Sequence, residues 1–273
     1  DFKHCLSVSV AHRFADDTNI LLRHRSVKIM RKSLKTELGN VFDWLCANRL
    51  SLNAKKTDVV LFKPLQKKAD IRLTVKFAGT NLFLSSKVTY LGVLIDSSLT
   101  WRPHINELAK KLNRSAAIIA KLQHFVPLKT LKGIYFSLFQ SYLAYGCLVW
   151  GYASKCDLRR LYLIQKRVIR IITSSDYYER TSPLFARLKI LKLDDLIQLH
   201  RHLILYDWNK GDLPLSLQHV FSLRTHNRTT RSTGHKALHT PYVRTVKYGD
   251  KSLRHFGPEL FSNIVNISVD QNL

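Results

Sequence analysis

Residues 12–21, HRFADDTNIL, set two adjacent aspartates, Asp16 and Asp17, between Phe14 and an apolar run. Upstream, LSVSVAHRF (6–14) alternates Leu6, Val8 and Val10 with Ser7, Ser9 and Ala11, the period of a half-buried strand. Downstream, TNILLRH (18–24) reads as a second strand, so the sequence predicts a hairpin with both aspartates at its tip. Neighbouring carboxylates repel one another unless they are solvated, capped or bridged by a cation. Two readings of the tip are open. Asp-Asp-Thr-Asn is good turn and helix-cap chemistry, because short polar side chains bond their own backbone. Equally, two carboxylates on a hairpin tip suit a hard cation such as Mg2+, which takes oxygen ligands and keeps positions open for substrate phosphates. The chemistry that wants such a site is phosphoryl transfer.

Composition narrows the partners. The chain carries 44 Lys and Arg against 19 Asp and Glu, a formal charge of +25, far more than solubility requires and suited to a polyanion. Nucleic acid leads, because the basic residues are spread over nearly the whole length instead of gathering beside one amphipathic membrane anchor. At 273 residues and 45% hydrophobic composition, the chain can bury a sizeable core as one large or two smaller domains. Cys5, Cys46, Cys147 and Cys156 lie far apart with no C-x-x-C pair, so neither a zinc site nor a disulfide framework is indicated and they read as reduced, intracellular thiols. GIYFSLFQSYLAYGCLVW (133–150) is uncharged and long enough to imitate a membrane span. Gln140, Ser137, Ser141 and Gly146 dilute it, and basic residues flank both ends, so a buried core helix is expected and no membrane partner.

Along the chain two textures separate near Asp96. Before it, Leu34, Leu38, Val41, Phe42 and Leu45 repeat at helical spacing, ANRLSLN (47–53) breaks that helix, and TDVVLFK (57–63) reads as a strand. IRLTVKF (71–77), a turn at AGTN (78–81), a return at LFLS (82–85) and an apolar strand VTYLGVLI (88–95) complete a meander. After it, SSLTWRPHINELAKKL (97–112) starts a helix with Ile105, Leu108, Leu112, Ile119 and Leu122 on one side and Lys110, Lys111, Arg114 and Lys121 on the other. In DLRRLYLIQKRVIRIIT (157–173), at about 100° per residue, Arg159, Arg160, Lys166, Arg167 and Arg170 fall within roughly a third of the circumference. Leu161, Ile164, Val168 and Ile172 cover the opposite side, and no acid interrupts 159–173, so the ridge suits a phosphate backbone better than an ordinary solvated face of mixed sign. From 211 onward the periods weaken, and RTHNRTTRSTGHK (224–236) reads as a basic loop. The expected fold is α+β: a partial antiparallel sheet over 1–96, a mostly helical region over 97–210 and a basic C-terminal segment over 211–273.

FADDTNI (14–20), WLCANRLSLNAKKTDVVLF (44–62) and VTYLGVLIDSSLTWRPHI (88–105), in that order, resemble the reverse transcriptase of non-LTR retrotransposons, the jockey-like and LINE group. YLAYGCLVWG (142–151) and YGDKSLRHFGPELFSNI (248–264) resemble the family's C-terminal segments, so the likeness spans nearly the whole chain. The resemblance implies an RNA-directed DNA polymerase working by two-metal nucleotidyl transfer on an RNA template, a DNA primer and deoxynucleotides. On that basis Asp16 and Asp17 match the palm aspartates that bind catalytic Mg2+, and Lys56 matches a lysine that donates a proton or charge to the leaving pyrophosphate. Tyr90, Leu91 and Gly92 match the primer grip, and the helices beyond Trp101 match a thumb that clasps the duplex through its backbone. No specific protein partner is implied.

The family's site also needs a third carboxylate from a strand well ahead of the F-A-D-D hairpin, whereas here only fifteen residues precede Asp16. The sequence is therefore read as a C-terminal fragment of such a polymerase, without fingers or nucleotide-selecting segment and inactive alone. The alternative is a non-catalytic, basic nucleic-acid-binding remnant.

Overall fold

The computed structural model describes residues 2–53, 56–64, 75–224, 238–243 and 252–270, the last with side chains to Phe261. It is α+β, and the chain divides into two compact units, residues 1–99 and 100–273.

In the first unit a short 3-10 turn, Phe2–Cys5, leads into strands β1 (Val10–Phe14) and β2 (Asp17–Leu21) and helix α1 (Val27–Ala47). The apolar spacing of α1 turns Val41 into the core with Leu34, Leu38 and Leu45 beside it, while Phe42, at the rim of that stripe, is exposed. Phe2 seats edge-on against Trp44, ring centroids 4.9 Å apart. Strands β3 (Val75–Phe77) and β4 (Thr80–Leu82) form a second hairpin, whose Val75, Phe77 and Leu82 close the same core. Strands β5 (Lys87–Tyr90) and β6 (Val93–Asp96) form a third.

Two expectations are corrected. The strand foreseen over 57–63 is reduced to one parallel bridge, Val59 to Leu84. The Val59 carbonyl accepts from Ser85 N–H at 2.8 Å and Lys63 N–H donates to Ser97 at 3.1 Å, so the segment's two ends bond different hairpins and no ladder can run along it. The single strand foreseen over 88–95 is instead a hairpin folding at Leu91 and Gly92, with φ of 46° and 75°. That positive-φ pair suits the right-handed twist of the flanking strands, and an apolar residue at its first position hides the turn inside an apolar run. Residues 71–74 of the foreseen meander, and most of the basic loop 224–236, lie outside the described residues.

The second unit is helical. Helix α2 (Arg102–Leu122) is followed by α3 (Leu128–Tyr135), a π turn at Phe136–Gln140, α4 (Ser141–Ala144) and α5 (Cys147–Trp150). Leu131, Tyr135, Phe139, Leu143 and Cys147 recur every fourth residue and are all buried. In a regular α-helix a four-residue step drifts about 40°, so such a stripe would wander off the core. The wider turn at Phe136–Gln140 takes back part of that drift and keeps the stripe inward. The run resembling a membrane span is thus a broken, core-facing path, and among the described residues no helix is long and apolar enough to cross a membrane. Burial pushes the Cys147 thiol up to about 11, and all four cysteines are free.

Helix α6 (Lys155–Thr173) starts on Ser154, whose hydroxyl accepts from Asp157 N–H at 3.1 Å. It lies beside α2 and parallel to it. Arg102 Nε is 3.5 Å from Asp157 and Arg160 donates to Asn106 at 2.6 Å near the N-terminal ends, while Gln123 donates to Ser174 at 2.9 Å at the C-terminal ends. Ile105, Leu108, Leu112 and Ile119 of α2 meet Leu161, Val168, Ile169 and Ile172 of α6 in one core. Helices α7 (Thr181–Leu188) and α8 (Leu193–Lys210) follow; at the end of α5, a Cβ on Gly151 would sit 2.3 Å from the Cys147 carbonyl of α5 itself and 3.1 Å from Ile197 of α8. After the short α9 (Leu215–Gln218), helix α10 (Leu253–Asp270) packs on α8, with Trp208 edge-on to Phe221 and Phe261. Arg201 of α8 is held between the rings of Tyr152 and Phe256, 4.5 and 4.7 Å from their centroids.

Gln165, fully buried on α6, ties these helices together. Its Nε2 donates to Tyr135 Oη and to the Leu191 carbonyl, and its Oε1 accepts from the N–H of Leu193 in the first turn of α8, each at 2.9 Å. The N–H of a first helical turn has no partner within the helix, so Gln165 serves as the cap that Lys192 does not provide. Replacing Gln165 with Leu should leave the buried Tyr135 hydroxyl and Leu193 N–H, and the Leu191 carbonyl, without this partner and lower the urea-unfolding free energy by about 2–4 kcal/mol. An unchanged unfolding midpoint by circular dichroism would refute this role.

Candidate acidic hairpin and basic helix face

The placement of the acidic hairpin begins with Glu37. Its carboxylate, on α1, is buried and accepts from the N–H groups of Ser7, Val8 and Ser9 at 2.9, 3.0 and 3.4 Å, and from the Ser9 hydroxyl. Burial by itself would raise the Glu37 pKa, but the hydrogen bonds from Ser9, Ser7 and Val8 outweigh it and hold the carboxyl below its ordinary value. The approach to β1 is therefore clamped one residue before the strand starts. Ala11 and Ile20 then face the core and Arg13 lies over the Phe2 ring, its guanidinium 5.7 Å from the centroid. His12, Phe14, Asp17 and Leu21 share the exposed face.

The tip is a two-residue turn, Ala15 and Asp16, between the pair Phe14 and Asp17. Ala15 has φ of 50°, a left-handed conformation unfavourable for a residue with a Cβ. Asp16 occupies the turn and Asp17 opens β2; both are exposed, and neither carboxylate makes a side-chain hydrogen bond or ion pair among the described residues. The local capping role that such residues play in turns is therefore not taken up here. Lys56 stands exposed on a short turn after α1, its N–H bonded to the Asn53 carbonyl at 3.0 Å. Tyr90 ends β5, half-buried, and Leu91 and Gly92 make the tight turn beyond it. The strands carrying Asp16 and Asp17 and those flanking Tyr90 to Gly92 belong to separate two-stranded ladders.

The donor chemistry at the tip suits Mg2+ only in part. Two exposed carboxylates offer hard oxygen ligands, yet among the described residues no group of three or more His, Cys, Asp or Glu side chains is placed to hold a metal. Asp16 and Asp17 by themselves do not make a metal site.

The five basic residues of α6 divide by what they touch. Arg159 and Arg167 are exposed, with no side-chain partner among the described residues. Lys166 is half-buried, its ammonium 5.5 Å from the centroid of the Tyr162 ring. Arg160 is engaged with Asn106, and Arg170 donates through Nε and Nη2 to the Glu179 carbonyl at 3.2 and 3.0 Å. Sequence reasoning had no means to tell these two from their neighbours, because their partners lie nine and 54 residues away in the chain. It also missed Glu37, which sits at an unremarkable polar position of an amphipathic helix.

Comparison with known proteins relates the chain to the polymerases of mobile elements. It is 28% identical over 189 residues to the RNA-directed DNA polymerase from mobile element jockey of Drosophila melanogaster, a match covering 68% of this chain and 20% of the relative. It is 25% identical over 195 residues to the probable RNA-directed DNA polymerase from transposon X-element of the same organism, covering 70% and 21%. A third relative, the probable RNA-directed DNA polymerase from transposon BS, is 24% identical over 190 residues, covering 68% and 21%. The matches thus span about a fifth of the length of these relatives. No protein-family model and no solved structure matches the chain.

Because folding lowers the Glu37 pKa, its stabilisation is complete above the ordinary carboxyl value of 4.5 and is lost as pH falls through the lower folded value. Glu37→Gln should therefore cost about 1–3 kcal/mol at pH 7 and reduce the loss of stability between pH 5 and pH 3. Urea unfolding at both ends of that range checks it; an equal acid-induced loss in both proteins would exclude the clamp.

Proposed function

We propose that this chain is the end of the palm and the thumb of an RNA-directed DNA polymerase of a mobile element, acting within a longer protein on an RNA template, a DNA primer and deoxynucleotides. The observation that carries the reading is the F-A-D-D hairpin, which presents two exposed carboxylates, without a side-chain partner among the described residues, at a two-residue turn in a chain of net charge +25. The relation to mobile-element polymerases supports it.

In this reading each residue has a separate task. Asp16 and Asp17 supply two of the carboxylates for Mg2+, with at least one more from the rest of the protein. The bound metal would activate the primer 3′ hydroxyl and stabilise the departing pyrophosphate. Lys56 offers its ammonium proton to that leaving group. Tyr90 gives the primer end an aromatic surface, and the turn at Leu91 and Gly92 lets the backbone come close to it. Arg159, Lys166 and Arg167 neutralise backbone phosphates without regard to sequence, while Arg160 and Arg170 keep α6 in place against its neighbours.

With an incomplete ligand set, this chain alone should not extend a DNA primer on poly-rA with Mg2+ or Mn2+. Incorporation above that of an Asp16→Asn, Asp17→Asn control would overturn that expectation. Binding should nonetheless survive. Affinity for an RNA–DNA hybrid should fall with salt at a log–log slope of about −0.7 to −0.9 per phosphate neutralised. Replacing Arg159, Lys166 and Arg167 with Gln should flatten that slope by about two to three units. The Asp16→Asn, Asp17→Asn pair should leave it unchanged. An intact slope in the triple variant would reduce the α6 face to an ordinary solvated surface.

A further inference from the structure

The loop from α6 to α7 carries Tyr177 and Tyr178, which are 76% and 88% exposed, their rings edge-to-face at 5.2 Å. An exposed apolar cluster is costly unless something covers it. Yet this loop is built firmly. Ser174 ends α6 in the left-handed conformation at φ 51°, and Ser175 N–H returns to the Arg170 carbonyl at 3.0 Å. Glu179 N–H bonds the Asp176 carbonyl at 3.2 Å, and the Arg170 guanidinium grips the Glu179 carbonyl through two N–H groups. That guanidinium also lies 5.7 Å from the centroid of the Tyr177 ring, so the ring is supported from beneath by a cation.

The same end of the unit holds a third exposed ring. Gln123 joins the C-terminal end of α2 to Ser174, and Phe125, two residues on, is 82% exposed. Close in the chain to these elements, Asp176 and Glu179 are outnumbered by Lys121, Arg167 and Arg180, while Arg170 is engaged with the Glu179 carbonyl. Rings presented on a rigid loop at the end of a basic helix face are what unpaired bases need: the arginines attract phosphates and the rings take the base faces, whatever the sequence. Paired bases in a duplex have no free faces for them.

We infer that Tyr177 and Tyr178 form a stacking platform for the unpaired bases of single-stranded nucleic acid entering or leaving the basic face of α6. The inference rests on the reading of that face as a phosphate-binding surface. RNA and DNA single strands share the chemistry, and the strand chosen by the protein is read from separate arms of the test.

The experiment measures fluorescence anisotropy of the full chain with labelled 15-mers: rU, dT and an abasic deoxyribose-phosphate strand of equal charge. The wild-type chain should bind base-bearing strands roughly tenfold tighter than the abasic strand. Tyr177→Ala with Tyr178→Ala should abolish that preference while leaving abasic binding unchanged, and Tyr177→Phe with Tyr178→Phe should retain it. Preference for rU over dT, or the reverse, identifies the strand. Equal wild-type affinity for base-bearing and abasic strands, or an undiminished preference in the double Ala variant, overturns the platform alone. Failure to bind any strand in a salt-dependent manner overturns the phosphate reading of α6 as well.

Discussion

Glu37 holds the start of the acidic hairpin from inside the core of its own unit. A carboxylate buried in apolar surroundings is unfavourable unless donors converge on it. Here three consecutive backbone N–H groups and a hydroxyl do so. The arrangement satisfies donors of residues 7–9, which precede β1 and have no ladder partners there, and it fixes that segment against the middle of α1. Everything that follows in the hairpin depends on it: which face carries Ala11 and Ile20 into the core, which face leaves His12 and Phe14 exposed, and where the turn at Ala15 and Asp16 stands. The strained φ of Ala15 is tolerated because both flanking strands are already positioned.

The helical unit solves a similar problem with a neutral group. Gln165 has no charge to desolvate, and all of its used hydrogen-bonding groups find partners on three different parts of the unit. With α6 fixed on its buried side, its opposite side is free to carry cations. Arg160 and Arg170 then act at its edges as fasteners, one to α2 and one to the loop before α7. A basic helix face is thus a composite: some of its charge maintains shape, while Arg159 and Arg167 stand exposed with no side-chain partner among the described residues.

Much of this was legible in the sequence wherever one element's own periodicity carries the information. The alternation before Asp16 announced the hairpin, and the apolar stripes of α1, α2 and α6 announced which faces would be buried. What was not legible depends on partners distant in the chain. The expected strand at 57–63 had the composition of a strand but no continuous neighbour, and the Leu91–Gly92 turn was masked because Leu stood where Asn or Asp would have signalled it. The uncharged run 133–150 pointed to a buried helix, but the π turn at Phe136–Gln140, which keeps Leu131 to Cys147 facing inward, follows from packing. For the candidate site, Asp16, Asp17, Lys56 and Tyr90 could be singled out by motif, while the division of labour among the α6 cations required knowing what each one touches.

In the proposed reading, the basic face of α6 lies along the phosphate backbone of a nucleic acid. A photoreactive RNA–DNA hybrid, crosslinked to the full chain and mapped by mass spectrometry, reads this contact. Crosslinks are expected on peptides containing Arg159 to Arg167; crosslinks confined to residues 211–273, with none on α6, would overturn the reading.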